Sequence, residues 1–316
     1  MHPALSVIFF TTASGVGYGL ALALGLSASA TGLPAHASFI LSSLAISYAL
    51  VTAGLLSSTF HLGHPERAWR AISQWRTSWL SREGVAAIIS FAPAALFGLA
   101  WILVSDDKKW VVYVFGLLMA AMAVITVFCT AMIYASLATI HQWHNAWVVP
   151  NYLLLSLYPG AVLLYLLMRA WGDQAPVQLW GALITGVAAL VVKLGYWRFI
   201  DTTHSLSTAE SATGLGHLGK VRLLDAPHTE SNYLMKEMGF RIARKHSAKL
   251  RLIAVTLTFI IPIALLVIAS QIVHAGGVIP ALLAGVGAFS GVFVERWLFF
   301  AEAKHTVTLY YGAAVS

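Results

Sequence analysis

The sequence predicts an all-α integral membrane protein, a bundle of eight transmembrane helices with both termini cytoplasmic. Hydrophobic residues fill 59% of the 316 positions and the mean hydropathy is +0.79, well beyond the apolar share of soluble domains. The apolar residues form long unbroken runs. A helix needs about 20 of them to cross the hydrocarbon core, whereas barrel strands are about 10 residues long and alternate. The few charges also fall mostly on one side of the predicted spans.

Eight windows qualify as spans: 5–30, 38–60, 84–104, 110–135, 147–170, 177–200, 250–272 and 278–300, read as one domain covering 1–316. The first has no basic residue ahead of it and is longer than a signal-peptide core, so it counts as a span. Its Thr11, Thr12 and Ser14, and its Gly15, Gly17 and Gly19, point to close packing against a neighbour, because small residues let membrane helices approach. Span two ends at Gly63 and Pro65, which stop a helix and leave His61 on its last turn with His64 just beyond. Span three opens at Glu83-Gly84. Span four leads into IHQWHNAW, where His141 and His144 sit three apart. That spacing suits a metal pair, but with no acidic third ligand nearby and Trp143 and Trp147 alongside, a membrane-interface exit is the better reading. Pro159-Gly160 is expected to kink span five. Lys193, about seven residues from the end of span six, is expected to snorkel to the surface, since seven helical residues cover about 10 Å. The segment 201–249 is the longest polar stretch, a loop that ends in basic helical turns before span seven. Span eight closes with VERWLFFAEAKH.

Eight spans put the termini and loops 61–83, 136–146 and 201–249 on one side. That side, with span ends facing it, collects 15 of the 19 Lys and Arg residues; the other has Lys108, Lys109 and Arg169, and Lys193 lies within a span. The positive-inside rule makes the first side cytoplasmic. The net charge of +7 is then a membrane-surface and partner feature, suited to lipid headgroups, and not a mark of nucleic-acid binding. A single cysteine, Cys129, excludes a self-held iron–sulfur cluster or a Cys-based zinc site. Neither a phosphate-binding loop nor a dinucleotide fingerprint is present.

The stretch 57–84, SSTFHLGHPERAWRAISQWRTSWLSREG, concentrates chemistry in a chain that is only 10% charged. His61 can pass a proton near neutral pH and hydrogen-bond a ring oxygen at the membrane edge, although a capping or headgroup-facing histidine is the bland alternative. Glu83 returns to the same face. A carboxylate at that depth is costly unless it is paired or functional, and Arg67 and Arg82 are its candidate partners. Arg76 and Arg82 suit lipid phosphates equally well, and Trp69, Trp75 and Trp79 suit an interfacial belt. Arg241, Arg244, Lys245 and Lys249 suit either anionic lipid or the acidic face of a partner. A haem at the membrane edge, held by two of His61, His144, His204 and His305, is a minority reading.

HLGHPERAWRA followed by LSREG resembles the membrane-anchor subunit (DmsC type) of the dimethyl sulfoxide reductase family of molybdoenzymes. The pattern is His61-Leu62-Gly63, Arg67 six residues on, and Ser81-Arg82-Glu83 opening span three. IYASLATIHQWHN and the stretch from GLGHLGK to RKHSAK are similar to the SoeC branch, the anchor of a sulfite:quinone oxidoreductase. The resemblance implies a bacterial inner-membrane anchor that binds quinone (ubiquinone or menaquinone) and carries no haem. It implies two partners: a ferredoxin-like subunit with four iron–sulfur clusters of the four-iron, four-sulfur kind, and a catalytic subunit with molybdenum on two pterin guanine dinucleotides. His61, Arg67 and Glu83 match the quinone site, His61 and Glu83 as proton carriers, with His64, Ser81, Arg82 and Glu295 near it. Arg70 and Arg76 join the four basic residues before span seven as docking groups. With the basic face cytoplasmic, the expected direction is sulfite oxidation with electrons passing to quinone. The rivals are a quinol-oxidising anchor of an S- or N-oxide reductase, a structural anchor without a quinone site, and a secondary transporter; inverted repeats and midplane polar sites would mark the last. His64 and the 201–249 loop depart from the best-known reductase pattern.

Overall fold

A computed structural model of the protein describes residues 5–60, 64–203, 205, 207–225 and 245–311. Among the described residues, eight helices are long and apolar enough to cross a membrane. They are α1 Leu5–Ala30, α2 Ala37–Thr59, α3 Trp79–Leu103, α4 Trp110–Ala135, α5 Val148–Ala170, α6 Pro176–Thr202, α7 Ser247–Gln271 and α8 Val278–Ala301. The sequence windows match these closely except at α3. That helix begins at Trp79, five residues before its window, because Ser78 caps it and accepts the Ser81 amide at 3.5 Å. A side-chain oxygen at the N-cap satisfies one of the amides a helix start leaves unpaired. Glu83 therefore lies inside the helix and not at its mouth.

The helix α1 is the axis of the bundle, with α2, α4, α5 and α8 packed around it. Its glycines explain how. A Cβ on Gly19 would overlap the Ser156 carbonyl of α5, and one on Gly160 would overlap the Gly19 backbone. A Cβ on Gly25 would likewise strike Gly116 of α4. Gly17 faces α2, where Ser47 Oγ donates to the Gly17 carbonyl at 2.8 Å. Tyr48 of α2 donates to the Ser90 carbonyl of α3 at 2.9 Å. Lipid offers no hydrophobic driving force between helices, so backbone approach and buried hydrogen bonds carry the association.

Helix α7 contains a π turn at Thr256–Ile260, just before Pro262. Proline has no amide to donate and its ring crowds the carbonyl four residues back, and the extra residue of a π turn relieves that contact. Gly291 of α8 packs directly onto Thr258 there. Among the described residues there is no strand. One isolated bridge, Ile140 to His305, ties the segment after α8 to the α4–α5 connection, reinforced by the Thr306 amide on the Thr139 carbonyl at 3.0 Å.

Gly19→Leu should destabilise the bundle by about 3 kcal/mol or more, the upper range of overpacking. Gly181→Ala, where nothing lies within 4 Å, should be neutral or slightly stabilising. Thermal unfolding of both variants in detergent checks the contrast.

Candidate functional site

Residues Pro65–Gln74 form a 3₁₀ segment that lies against the start of α3. The Ser81 hydroxyl, buried in α3, donates to the Ala71 carbonyl and fastens the two together. Glu66, Arg67, Trp69, Arg70, Ser73 and Gln74 of this segment are exposed. Each tryptophan of the region carries an arginine: Arg70 lies 5.6 Å from the Trp69 ring, Arg76 5.4 Å from Trp75 and Arg82 4.2 Å from Trp79. Guanidinium groups favour the faces of aromatic rings, so sequence neighbours become three stacked pairs. Trp69 and Trp75 are exposed, and this surface can take lipid headgroups or a protein partner.

Beneath that surface sits Glu83, only 3% exposed. Its partner is the Thr130 hydroxyl of α4, which donates to Oε1. The arginines expected to pair with it point elsewhere. Arg82 donates to the carbonyls of Trp75 at 3.0 Å and Arg76 at 2.7 Å, and Arg67 lies 3.8 Å from Glu66 at the surface. Among the described residues no salt bridge reaches Glu83. Thr130 has a second acceptor, the Thr126 carbonyl at 3.1 Å. A hydroxyl has one hydrogen and two lone pairs. Thr130 can therefore donate to an ionised Glu83, or accept from a protonated one while donating to Thr126. The pocket accommodates the carboxyl in both states, which is the property a proton carrier needs.

The other residues singled out in the sequence divide into groups. His64 is exposed and bonds Glu66 at 3.0 Å. Lys245 and Lys249 are exposed, consistent with a docking or headgroup role. His61, His204, Arg241 and Arg244 lie outside the described residues. His141 and His144 do not face a common point: His141 bonds the Thr203 hydroxyl at 2.9 Å and stacks on Phe199, and His144 donates to the Ala135 carbonyl at 2.7 Å. Among the described residues no group of three or more potential ligands could hold a metal.

Two further expectations are corrected. Lys193 does not snorkel. It is 1% exposed and ion-pairs with Glu295 of α8. Arg296, counted with the span ends facing the basic side, is likewise 1% exposed and lies 3.5 Å from Glu295 and 3.6 Å above the Tyr152 ring. A charge this deep is costly unless paired, and Lys193 and Glu295 stand about a hundred residues apart in sequence. Helical spacing cannot match them. The adjacent Glu295-Arg296 in an otherwise apolar span is the available signal.

The sequence matches the family described as DMSO reductase anchor subunit (DmsC) over residues 1–312. It is 35% identical to the C subunit of sulfite dehydrogenase from Allochromatium vinosum, across 98% of its own length and 99% of that protein. It is 29% identical to the C polypeptide of anaerobic dimethyl sulfoxide reductase from Escherichia coli, over 46% of its own length and 50% of that protein. The anaerobic dimethyl sulfoxide reductase polypeptide YnfH of the same organism is 27% identical over 42% and 45%. No solved structure matches. The whole-length match, the eight membrane-length helices and the paired motifs around Glu83 agree: this protein belongs to the DMSO reductase anchor subunit (DmsC) family, membrane anchors of molybdoenzymes.

Proposed function

We propose that this protein is the quinone-reducing membrane subunit of a three-part molybdenum and iron–sulfur enzyme that oxidises sulfite in the cytoplasm of a bacterium. The observation that carries the reading is the Glu83 carboxyl, buried without a cation partner among the described residues beneath the 65–74 segment and held by a hydroxyl able to serve both its protonation states. The whole-length likeness to a sulfite dehydrogenase subunit supports the substrate. One cysteine leaves the clusters and the molybdenum centre to partner subunits.

Quinone is the substrate of this subunit: one quinone takes two electrons and two protons to become one quinol. The electrons come from the iron–sulfur partner docked over the arginine–tryptophan surface, with Lys245, Lys249, Arg241 and Arg244 as further basic contacts. His61 and Arg67 orient the ring oxygens, and Glu83 with His61 supplies protons. Arg82, held by two carbonyls over Trp79, and Ser81 position the segment. The basic face, 14 residues once the buried Arg296 is removed from the 15, is assigned to the cytoplasm by the positive-inside rule. Protons and electrons then enter from one side, and the step moves no net charge across the membrane. The partial likeness to two dimethyl sulfoxide reductase polypeptides favours, as second reading, the reverse flow from quinol to an S- or N-oxide.

Glu83→Gln should lower quinone reduction by about 10²–10⁴-fold, the range for a positioned proton donor, while sulfite oxidation with an artificial dye acceptor persists. Thr130→Val should cost about tenfold, near the lower limit for a hydrogen bond to a charged group. His61→Ala should behave as Glu83→Gln. Unchanged quinone activity in Glu83→Gln and His61→Ala overturns the assignment. Assaying sulfite with quinone against quinol with S-oxides decides the direction. In a Cys129→Ser background, an impermeant maleimide should label Ser73→Cys only from the cytoplasmic side and Ser105→Cys only from the other.

A further inference from the structure

Five helices contribute to a second set of polar groups, running from the surface into the bundle, that the quinone reading leaves unused. At its outer end, Arg251 of α7 joins Asp201 of α6, at 2.6 Å, to Glu302 after α8, at 2.8 Å. The Asp201 side chain is 53% exposed, Arg251 21% and Glu302 8%. Further in stands Lys193, at 2%, paired with Glu295 at 3%. Exposure thus falls stepwise from water to the bundle interior. Lys193 also lies 4.3 Å from the Tyr196 ring and 4.8 Å from that of Trp197, and Arg251 lies 5.3 Å from the same Trp197 ring.

From Glu295 the set runs towards Glu83. Arg296 lies over Tyr152 of α5, and Tyr152 stacks on Tyr134 of α4 with centroids 5.7 Å apart and planes 21° apart. Tyr134 is one turn along α4 from Thr130, the partner of Glu83. Several polar atoms on this line make no hydrogen bond. Glu295 Oε2, Arg296 Nε and Nη1, and the Tyr152 hydroxyl are buried without a hydrogen-bond partner among the described residues, Oε2 and Nη1 standing 3.5 Å apart as an ion pair. Buried polar groups are almost always bonded, and apolar residues would fill the same space at no such cost. The cluster is a poor device for stability alone.

We propose that Lys193, Glu295 and Arg296 form a proton-holding site that supplies Glu83 laterally through Tyr152 and Tyr134, with Asp201, Arg251 and Glu302 as its mouth. The proposal rests on Glu83 delivering protons to quinone. The proton enters at the Asp201–Glu302 carboxylates, is held on the Lys193–Glu295 pair and passes through the tyrosine hydroxyls. Arg296 carries none; its fixed charge keeps Glu295 and Tyr152 in place. Each quinone takes two electrons from the iron–sulfur partner and two protons, and the cluster reloads from water after each turnover. These are positioning and delivery residues, since none touches the substrate.

The test uses the assembled complex in membranes, with a short-chain quinone as acceptor and a redox dye as control. Glu295→Gln should retain dye activity, lose quinone reduction about a hundredfold at pH 8, recover part of it at pH 6 where protons are abundant, and show a raised solvent deuterium isotope effect; the fall is at the lower end for a proton-transfer group. Glu295→Asp should restore most of the rate. Quinone rates, pH profile and isotope effect all unchanged in Glu295→Gln overturn the relay. If that variant fails to assemble, the neutral pair Lys193→Gln with Glu295→Gln replaces it, and normal pH dependence in the pair overturns the proposal equally. Glu83→Gln run alongside separates the two readings: a dead Glu83→Gln with a wild-type Glu295→Gln removes only the relay, whereas a wild-type Glu83→Gln removes the quinone assignment beneath it.

Discussion

The close approach of α1 to α5 sets the geometry of everything else. Gly19 meets the Ser156 carbonyl and Gly160 meets the Gly19 backbone, so the two helices touch main chain to main chain. In lipid, where apolar surface gains nothing by leaving its surroundings, such contact is what dispersion and short hydrogen bonds can exploit. With α1 fixed at the centre, α4 is drawn in at Gly25–Gly116 and α2 at Gly17. Tyr134 of α4 then stacks on Tyr152 of α5 in the interior. The polar chemistry of the molecule is a consequence of where its smallest residues lie.

Burial divides the charged residues into two populations. Arg70, Arg76 and Arg82 stay towards the surface on tryptophan rings, where stacking holds them without full desolvation. Lys193, Glu295 and Arg296 are removed from water and hold one another. Glu83 belongs to neither group, with a neutral donor as its partner among the described residues. A carboxyl held by a hydroxyl is easier to recharge than one locked to a guanidinium, because no opposite charge opposes protonation.

How much of this the sequence reveals depends on the range of the interaction. The spans are local in composition, and every one is legible within a few residues. The start of α3 is the exception, because Arg82 and Glu83 read as loop while the helix is opened by a cap at Ser78 that hydropathy does not register. The glycines of α1 are readable as packing sites, though their partners are not. Glu83 stands out by its depth, but the nearby arginines that suggest themselves as partners are not its partners, and Thr130 lies in another helix. The Lys193–Glu295 pair is illegible for the same reason. Sequence spacing reports neighbours along a helix, and these contacts are set by the order in which helices pack.

The π turn of α7 has an effect on register. One extra residue in a helical turn shifts the angular sequence of everything after it by about 100°. The half of α7 that carries Arg251 and the half that buries Leu266 and Ala269 are therefore phased independently. A continuous α-helix would have to choose between aiming Arg251 at Asp201 and Glu302 and turning its apolar stripe to α8. The turn at Thr256–Ile260 removes that choice, so the water-facing end of the helix can follow electrostatics while its lipid-embedded end follows packing.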